Sequence, residues 1–205
     1  KVPGARNAAL IPADCDIVAA GNPVGSGAHV GSMSKALESR FAWIALEPDL
    51  DDWTKWAMGA GVPSEVIYYL RFAPAALHEF DPRSKSPTFP CPRTWEFVGR
   101  VMAAGAASNG SELAIYSGII GEGRATELVA FLRVWRKLPS PDAILMDPDK
   151  HPLPNFDADP SVGYALVGAL AKKASDTTAD RLVKVCNRLP VEFQTLLILD
   201  SQRRS

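Results

Sequence analysis

The change of hydrophobic period near Pro48 constrains this chain more than any other feature. Before it stand two short apolar runs, residues 17–21 and 41–46, each bounded by turn residues. Runs of that length and setting read as strands. After it, apolar residues recur at helical spacing, most clearly in Leu128, Phe131, Leu132, Trp135 and Leu138. About fifty residues of mixed character therefore precede an all-helical region three times as long.

The helical boundaries follow from turn and cap residues. Residues 23–31 are rich in Gly and polar side chains and read as a loop, after which Ser32 or Ser34 caps a short helix ending at Ser39. Asp51 and Asp52 open a helix carrying Trp53, Trp56 and Ala57, stopped by Gly59 and Gly61. Pro63, Ser64 and Glu65 open the next, which holds Val66, Ile67, Tyr69 and Leu70 and ends near Pro74. Pro82, Pro87, Pro90 and Pro92 make residues 81–92 an irregular connection. Further helices are predicted over 93–104, 112–120, 124–138, 142–146, 161–174, 177–189 and 190–203, the last with Pro190 in its first turn. Ser111 and Thr177 or Thr178 are the caps expected for the 112–120 and 177–189 helices. The organisation is thus residues 1–48, 49–138 and 139–205.

Charge excludes little but narrows the partners. With 22 basic and 23 acidic residues the net charge is −1, which gives no global attraction to nucleic acid or anionic membrane. No apolar stretch approaches the roughly 20 residues of a membrane helix, and no signal-peptide pattern is present. Cys15, Cys91 and Cys186 are far apart and odd in number, as expected of buried thiols in a reducing, cytoplasmic setting. They form no metal-ligand spacing with His29, His78 and His151. The first residue is Lys1, so residues 1–13 read as a loop entering from something upstream.

Three residues carry candidate chemistry. Asn22 follows the first strand-like run, where open α/β sheets bind ligands. Its amide can donate to a phosphate oxygen or accept from water, although Asn-Pro also simply starts turns. Arg40 ends the short helix; a guanidinium can stabilise a transferring phosphoryl group, and equally favours any helix C-terminus. Arg93 follows Pro92 at a helix N-terminus, where a cation opposes the macrodipole unless an anion binds there. Arg40 lies 18 residues after Asn22, and Arg93 lies 53 after Arg40.

This order resembles the AAA+ ATPases, and among them the MoxR-like group. Ala19-Ala20-Gly21-Asn22-Pro23 is similar to the ending of that family's fourth strand, whose Asn (sensor-1) orients the attacking water. Leu37-Glu38-Ser39-Arg40-Phe41 resembles the segment bearing the arginine finger that acts on the neighbouring subunit. Pro92-Arg93-Thr94 resembles the lid segment bearing sensor-2, an arginine that couples the lid to the γ-phosphate. The resemblance covers roughly residues 10–105 with usable motifs. It implies a mostly α chain: a small α/β remnant of two parallel strands from an AAA+ core, then a helical lid, then further helices. It also implies ATP and Mg2+ in the intact protein and a homo-oligomeric ring. The implied role is remodelling of protein partners, including ones with von Willebrand factor A domains.

The departures are equally specific. The Gly-x-x-x-x-Gly-Lys-Ser/Thr phosphate loop is missing, since Gly25-Ser26-Gly27 and Gly121-Glu122-Gly123 lack the lysine and the preceding strand. No acidic pair closes an apolar strand to hold magnesium; Asp14 and Asp16 precede one. The 205 residues therefore read as a C-terminal portion that cannot by itself hydrolyse ATP, with no nucleotide or metal expected on it alone. In that family the strand between these two belongs to the missing part. The two strands are then expected to pair directly, to pair with another copy, or to lose order. Asn22 and Arg93 are expected to share one cleft, with Arg40 pointing outward.

Other clusters read as structure. Trp53, Trp56, Trp95 and Trp135 sit at core spacing. Lys172, Lys173, Arg181, Lys184 and Arg188, with Arg203 and Arg204, read as solvated helix faces, so neither nucleic acid nor membrane is an expected partner. Asp147, Asp149, Asp157 and Asp159 around His151 fit no compact calcium or zinc loop. The rival functional readings are a non-enzymatic helical protein-interaction module and a clamp-loader-like AAA+ protein of DNA replication.

Overall fold

The structure, a computed structural model, describes residues 14–22, 33–84, 86–107 and 110–202. The chain divides into two units, Lys1–Ala45 and Leu46–Ser205.

In the first unit the one regular element is α1 (Lys35–Glu38). Ser34 caps it by accepting the Leu37 N–H at 3.3 Å. Residues 15–22 and 42–45 have no regular secondary structure, and among the described residues of the chain there is no strand. The two runs expected as strands are therefore irregular here. A strand needs neighbours to take up its N–H and C=O groups and to cover one face. These runs have no such cover: Val18 is 92% and Ile44 83% exposed. The loop at 23–31, the Ser32 cap and the opening residues 1–13 lie outside the described residues.

The second unit is helical. Its order is α2 (Leu50–Gly59), α3 (Ser64–Phe72), a 3-10 turn (Pro74–Leu77), α4 (Pro92–Ala103), α5 (Glu112–Ile120) and α6 (Glu122–Lys137). α7 (Pro141–Met146), α8 (Pro160–Ala171), α9 (Ala179–Cys186) and α10 (Val191–Gln202) complete it. The starts obey local chemistry. Asp49 accepts the Asp52 N–H at 2.8 Å to open α2, and Asp159 accepts the Ser161 N–H at 3.0 Å to open α8. Pro92, Pro141 and Pro160 sit in first turns, where a missing N–H costs nothing. Thr178 is the N-cap residue of α9, as expected, but its hydroxyl makes no bond to the helix; it accepts from the Ser175 N–H and donates within the preceding turn.

α3 and α8 form the centre. Val66, Ile67, Tyr68, Tyr69 and Leu70 are all fully buried, so the middle of α3 is covered on every side, as a helical stretch that is apolar all round must be. α8 packs on α3, α6 and α10. Two glycines make the approach close enough: a Cβ on Gly168 would enter the Tyr68 ring, and one on Gly163 the Phe193 ring. One buried cluster runs from Trp53 on α2 to Leu197 on α10.

The tryptophans divide. Trp53 and Trp95 are in this core and Trp135 packs against it, whereas Trp56 is 46% exposed. α2 buries Trp53, Thr54 and Ala57, which leaves Trp56 at the surface beside Trp53, with the two rings tilted and their centroids 6.1 Å apart. No helix among the described residues is long and apolar enough to cross a membrane.

Candidate functional site

The start of α4 is the most elaborately held of the predicted positions. Pro92 fixes the backbone of its first residue, and Cys91 before it is extended (φ −155°, ψ 166°). The Thr94 hydroxyl accepts the Cys91 N–H at 2.8 Å, one half of a capping box. Its proton reaches the carbonyls of Cys91 at 3.0 Å and Phe89 at 3.1 Å. Trp95, fully buried, donates its indole N–H to the Ala76 carbonyl at 2.8 Å. Trp53 donates its indole N–H to the Pro92 carbonyl at 3.2 Å. The proline-rich connection is pinned too, by the Glu79 N–H on the Pro90 carbonyl at 3.0 Å.

On this turn Arg93 is exposed and makes no ion pair among the described residues. The first turn of α4 contains no acidic residue, unlike that of α2, which contains Asp51 and Asp52. The positive end of the helix and the guanidinium therefore add rather than cancel, and together they favour an anion.

Behind the proline-rich connection lies a charged network. Arg124 on α6 forks onto both oxygens of Glu79 and also reaches Glu127. Glu127 in turn accepts the Tyr69 hydroxyl at 3.0 Å. The hydrogen bonds from Arg124 hold the Glu79 carboxyl below the usual carboxylate range. Burial, aided by the charge of Glu127, raises the Tyr69 phenol so that it stays protonated.

Asn22 and Arg40 belong to the first unit. Asn22 is exposed in irregular chain. Arg40 is exposed and donates to the Ala36 carbonyl of its own helix, beside Ser39, which donates to the same oxygen at 3.1 Å. Trp43 completes that helix end by donating to the Glu38 carbonyl at 3.0 Å. One guanidinium N–H is thus used locally, and a guanidinium has five.

Several of the remaining candidates have structural partners. Asp149 pairs with Lys184 at 3.3 Å, Asp159 caps α8, and Arg188 donates to the carbonyls of Pro148 and His151. Among the described residues no group of His, Cys, Asp or Glu could hold a metal ion. Lys172 and Lys173 pair with Glu65 and Asp142 at 3.4 and 2.8 Å. Cys186 is buried, which raises its thiol pKa, but Cys15 is exposed rather than buried as expected. Arg203 and Arg204 lie outside the described residues.

Sequence reasoning missed the deepest polar cluster. Asp200 on α10, fully buried, accepts both a fork from Arg71 and the Tyr68 hydroxyl. The Arg71 guanidinium also lies 5.1 Å from the centroid of the Tyr68 ring. The signal was present: Phe193, Leu197 and Asp200 are spaced four and three apart, so Asp200 stands on the buried stripe of its helix. A second feature had no sequence signal, a cleft of about 320 Å³ between α9 and α10 floored by Leu182, Val183, Cys186, Leu197 and Ile198. No family model matches the chain, and no curated protein or solved structure is significantly similar to it.

Proposed function

We propose that this chain is the lid-bearing part of a MoxR-like AAA+ ATPase that couples ATP hydrolysis to remodelling of protein partners. The observation that carries the reading is Arg93: an exposed guanidinium with no ion pair among the described residues, on a first helical turn without acidic residues that is held from several sides. Its place after Asn22 and Arg40 gives the three residues the order that the resemblance requires.

In the intact ring Arg93 would contact the γ-phosphate, Asn22 would orient the attacking water, and Arg40 would act on the nucleotide of the neighbouring subunit. ATP supplies the phosphoryl group, and Mg2+ neutralises its charge. Neither is assigned a ligand within these residues beyond Arg93. The runs at 17–21 and 41–46 would be parallel strands there, paired with a core strand supplied from outside this sequence.

The test is ATP turnover by the intact protein. Arg93→Ala, Asn22→Ala and Arg40→Ala should each reduce it by about a hundredfold or more, as loss of a phosphate-stabilising group does. Arg40→Ala subunits mixed with Asn22→Ala subunits should recover activity, because the two residues would serve different subunits. Unchanged turnover in Arg93→Ala, or a coding sequence without a phosphate loop upstream of Lys1, overturns the reading.

A second reading, a non-enzymatic helical interaction module, is favoured by two observations. Arg40 already has a local role on the Ala36 carbonyl, and an apolar cleft opens between α9 and α10. An intact protein without nucleotide binding would leave that reading standing.

A further inference from the structure

The hydrogen bond between Trp53 and Pro92 joins α2 to the residue directly before Arg93, across 39 positions of sequence. In an α-helix the carbonyl of the first residue already accepts an intrahelical N–H. The indole therefore uses the second lone pair, and its effect is to fix direction rather than to satisfy an orphan. Trp53 is itself immobilised, being 7% exposed within the buried cluster. The other restraints act elsewhere on the turn. Thr94 holds the entry at Cys91 and Phe89, and Trp95 holds the core side at Ala76. Thr94 is held on the far side of Arg93 by its own hydroxyl, and the bond from Trp53 is the one that reaches the Pro92 main chain from another helix.

We propose that Trp53 is a positioning residue for Arg93. Its indole N–H on the Pro92 carbonyl sets the direction in which Arg93 leaves α4, and through it the preference of the lid for a nucleoside triphosphate over a diphosphate. This rests on the reading of Arg93 as the γ-phosphate contact. Tryptophan suits the task because one side chain fills a core position and also presents a single, rigidly aimed donor.

The test measures ATP and ADP dissociation constants for the intact protein with Trp53→Phe. A parallel variant carries benzothienylalanine at position 53, which keeps the bicyclic shape and lacks the N–H. Loss of one hydrogen bond that orients the phosphate contact should weaken ATP binding about three- to tenfold. ADP binding should stay within about twofold, since the expected loss falls on the γ-phosphate contact. A residue that merely supports the fold would shift both nucleotides together. Equal shifts for ATP and ADP, or none in either variant, overturn the inference, provided that Arg93→Ala removes the discrimination. If Arg93→Ala itself leaves the ratio of the two constants unchanged, it is the reading of Arg93 that fails. Should Trp53→Phe melt well below the parent protein, the benzothienylalanine variant decides, because it leaves the packing intact.

Discussion

The two units use similar residues in opposite ways. Leu46–Ser205 encloses a core of aromatic and aliphatic side chains, among which Trp95, Ile67, Val66 and Leu70 have no exposed surface. In Lys1–Ala45, Ile17, Trp43 and Ile44 are 63%, 65% and 83% exposed. The difference is in how each backbone is satisfied. A helix closes its own hydrogen bonds and needs only a neighbour for its apolar stripe. A strand needs a partner for its backbone before its side chains can be covered at all. The helical unit therefore contains within itself what its core requires, and the apolar runs before it do not.

The buried ion pair offers the sharpest contrast. Asp200→Asn leaves the Arg71 guanidinium, 9% exposed, facing a neutral amide. Breaking such a pair costs about 3–5 kcal/mol, to be read as a lower denaturation midpoint. A loss below about 1 kcal/mol, the scale of a surface pair, would mean that α10 does not hold Asp200 against α3. Next comes Gly163→Val. Its Cβ would meet the Phe193 ring, and overpacking of this kind costs about 1–3 kcal/mol. Unchanged stability would show that α8 and α10 are further apart than described.

Thr54→Val should act with the opposite sign. The Thr54 hydroxyl oxygen is buried and finds no partner among the described residues, so its removal with retention of shape should stabilise the helical unit by about 1 kcal/mol. A destabilised Thr54→Val would reveal a partner for that oxygen.

Acid should separate the Glu79–Arg124 bridge from the rest. The folded-state pKa of Glu79 is lowered by Arg124, so its contribution is fully present above the unfolded value of about 4.3 and is lost as pH falls through the lowered one. In Arg124→Met the melting temperature should fall less steeply with acid than in the parent protein. The effect is small, because the two side chains are 23% and 37% exposed. Identical slopes would remove the bridge as a support of the proline-rich connection. The smallest effect is expected in the first unit: Val18→Ser and Ile44→Ser should change stability by no more than about 0.5 kcal/mol, as substitutions at uncovered positions do. A loss comparable to that of Asp200→Asn would show that these runs are covered, and the contrast between the units would disappear.

The legible part of the fold was the part written locally. The period of Leu128, Phe131 and Leu132 marked α6, Asp51 and Asp52 marked the start of α2, and Pro92 that of α4. Arg93 was legible as a site candidate for the same reason, since Pro92 fixes where α4 begins. Residues 17–21 and 41–46 show the limit. β-Branched, apolar stretches read as strands, yet a strand is a pairing and not a property of one segment. Trp56 shows it on a smaller scale: helical spacing grouped it with Trp53, and only the neighbours of α2 left one outside.

By itself, the sequence determined where helices begin and end, because caps, prolines and the 3.6-residue period act within a few residues of themselves. It also determined that Arg93 would stand on an N-terminal turn that itself holds no acidic residue. Only the tertiary structure decided that Asp200 would meet Arg71 across 129 residues, that Gly163 and Gly168 would be notches for aromatic rings, and that Trp53 would hold the turn bearing Arg93. Those outcomes depend on which helix faces which. Such pairing is fixed by packing across the whole core rather than by any segment acting alone.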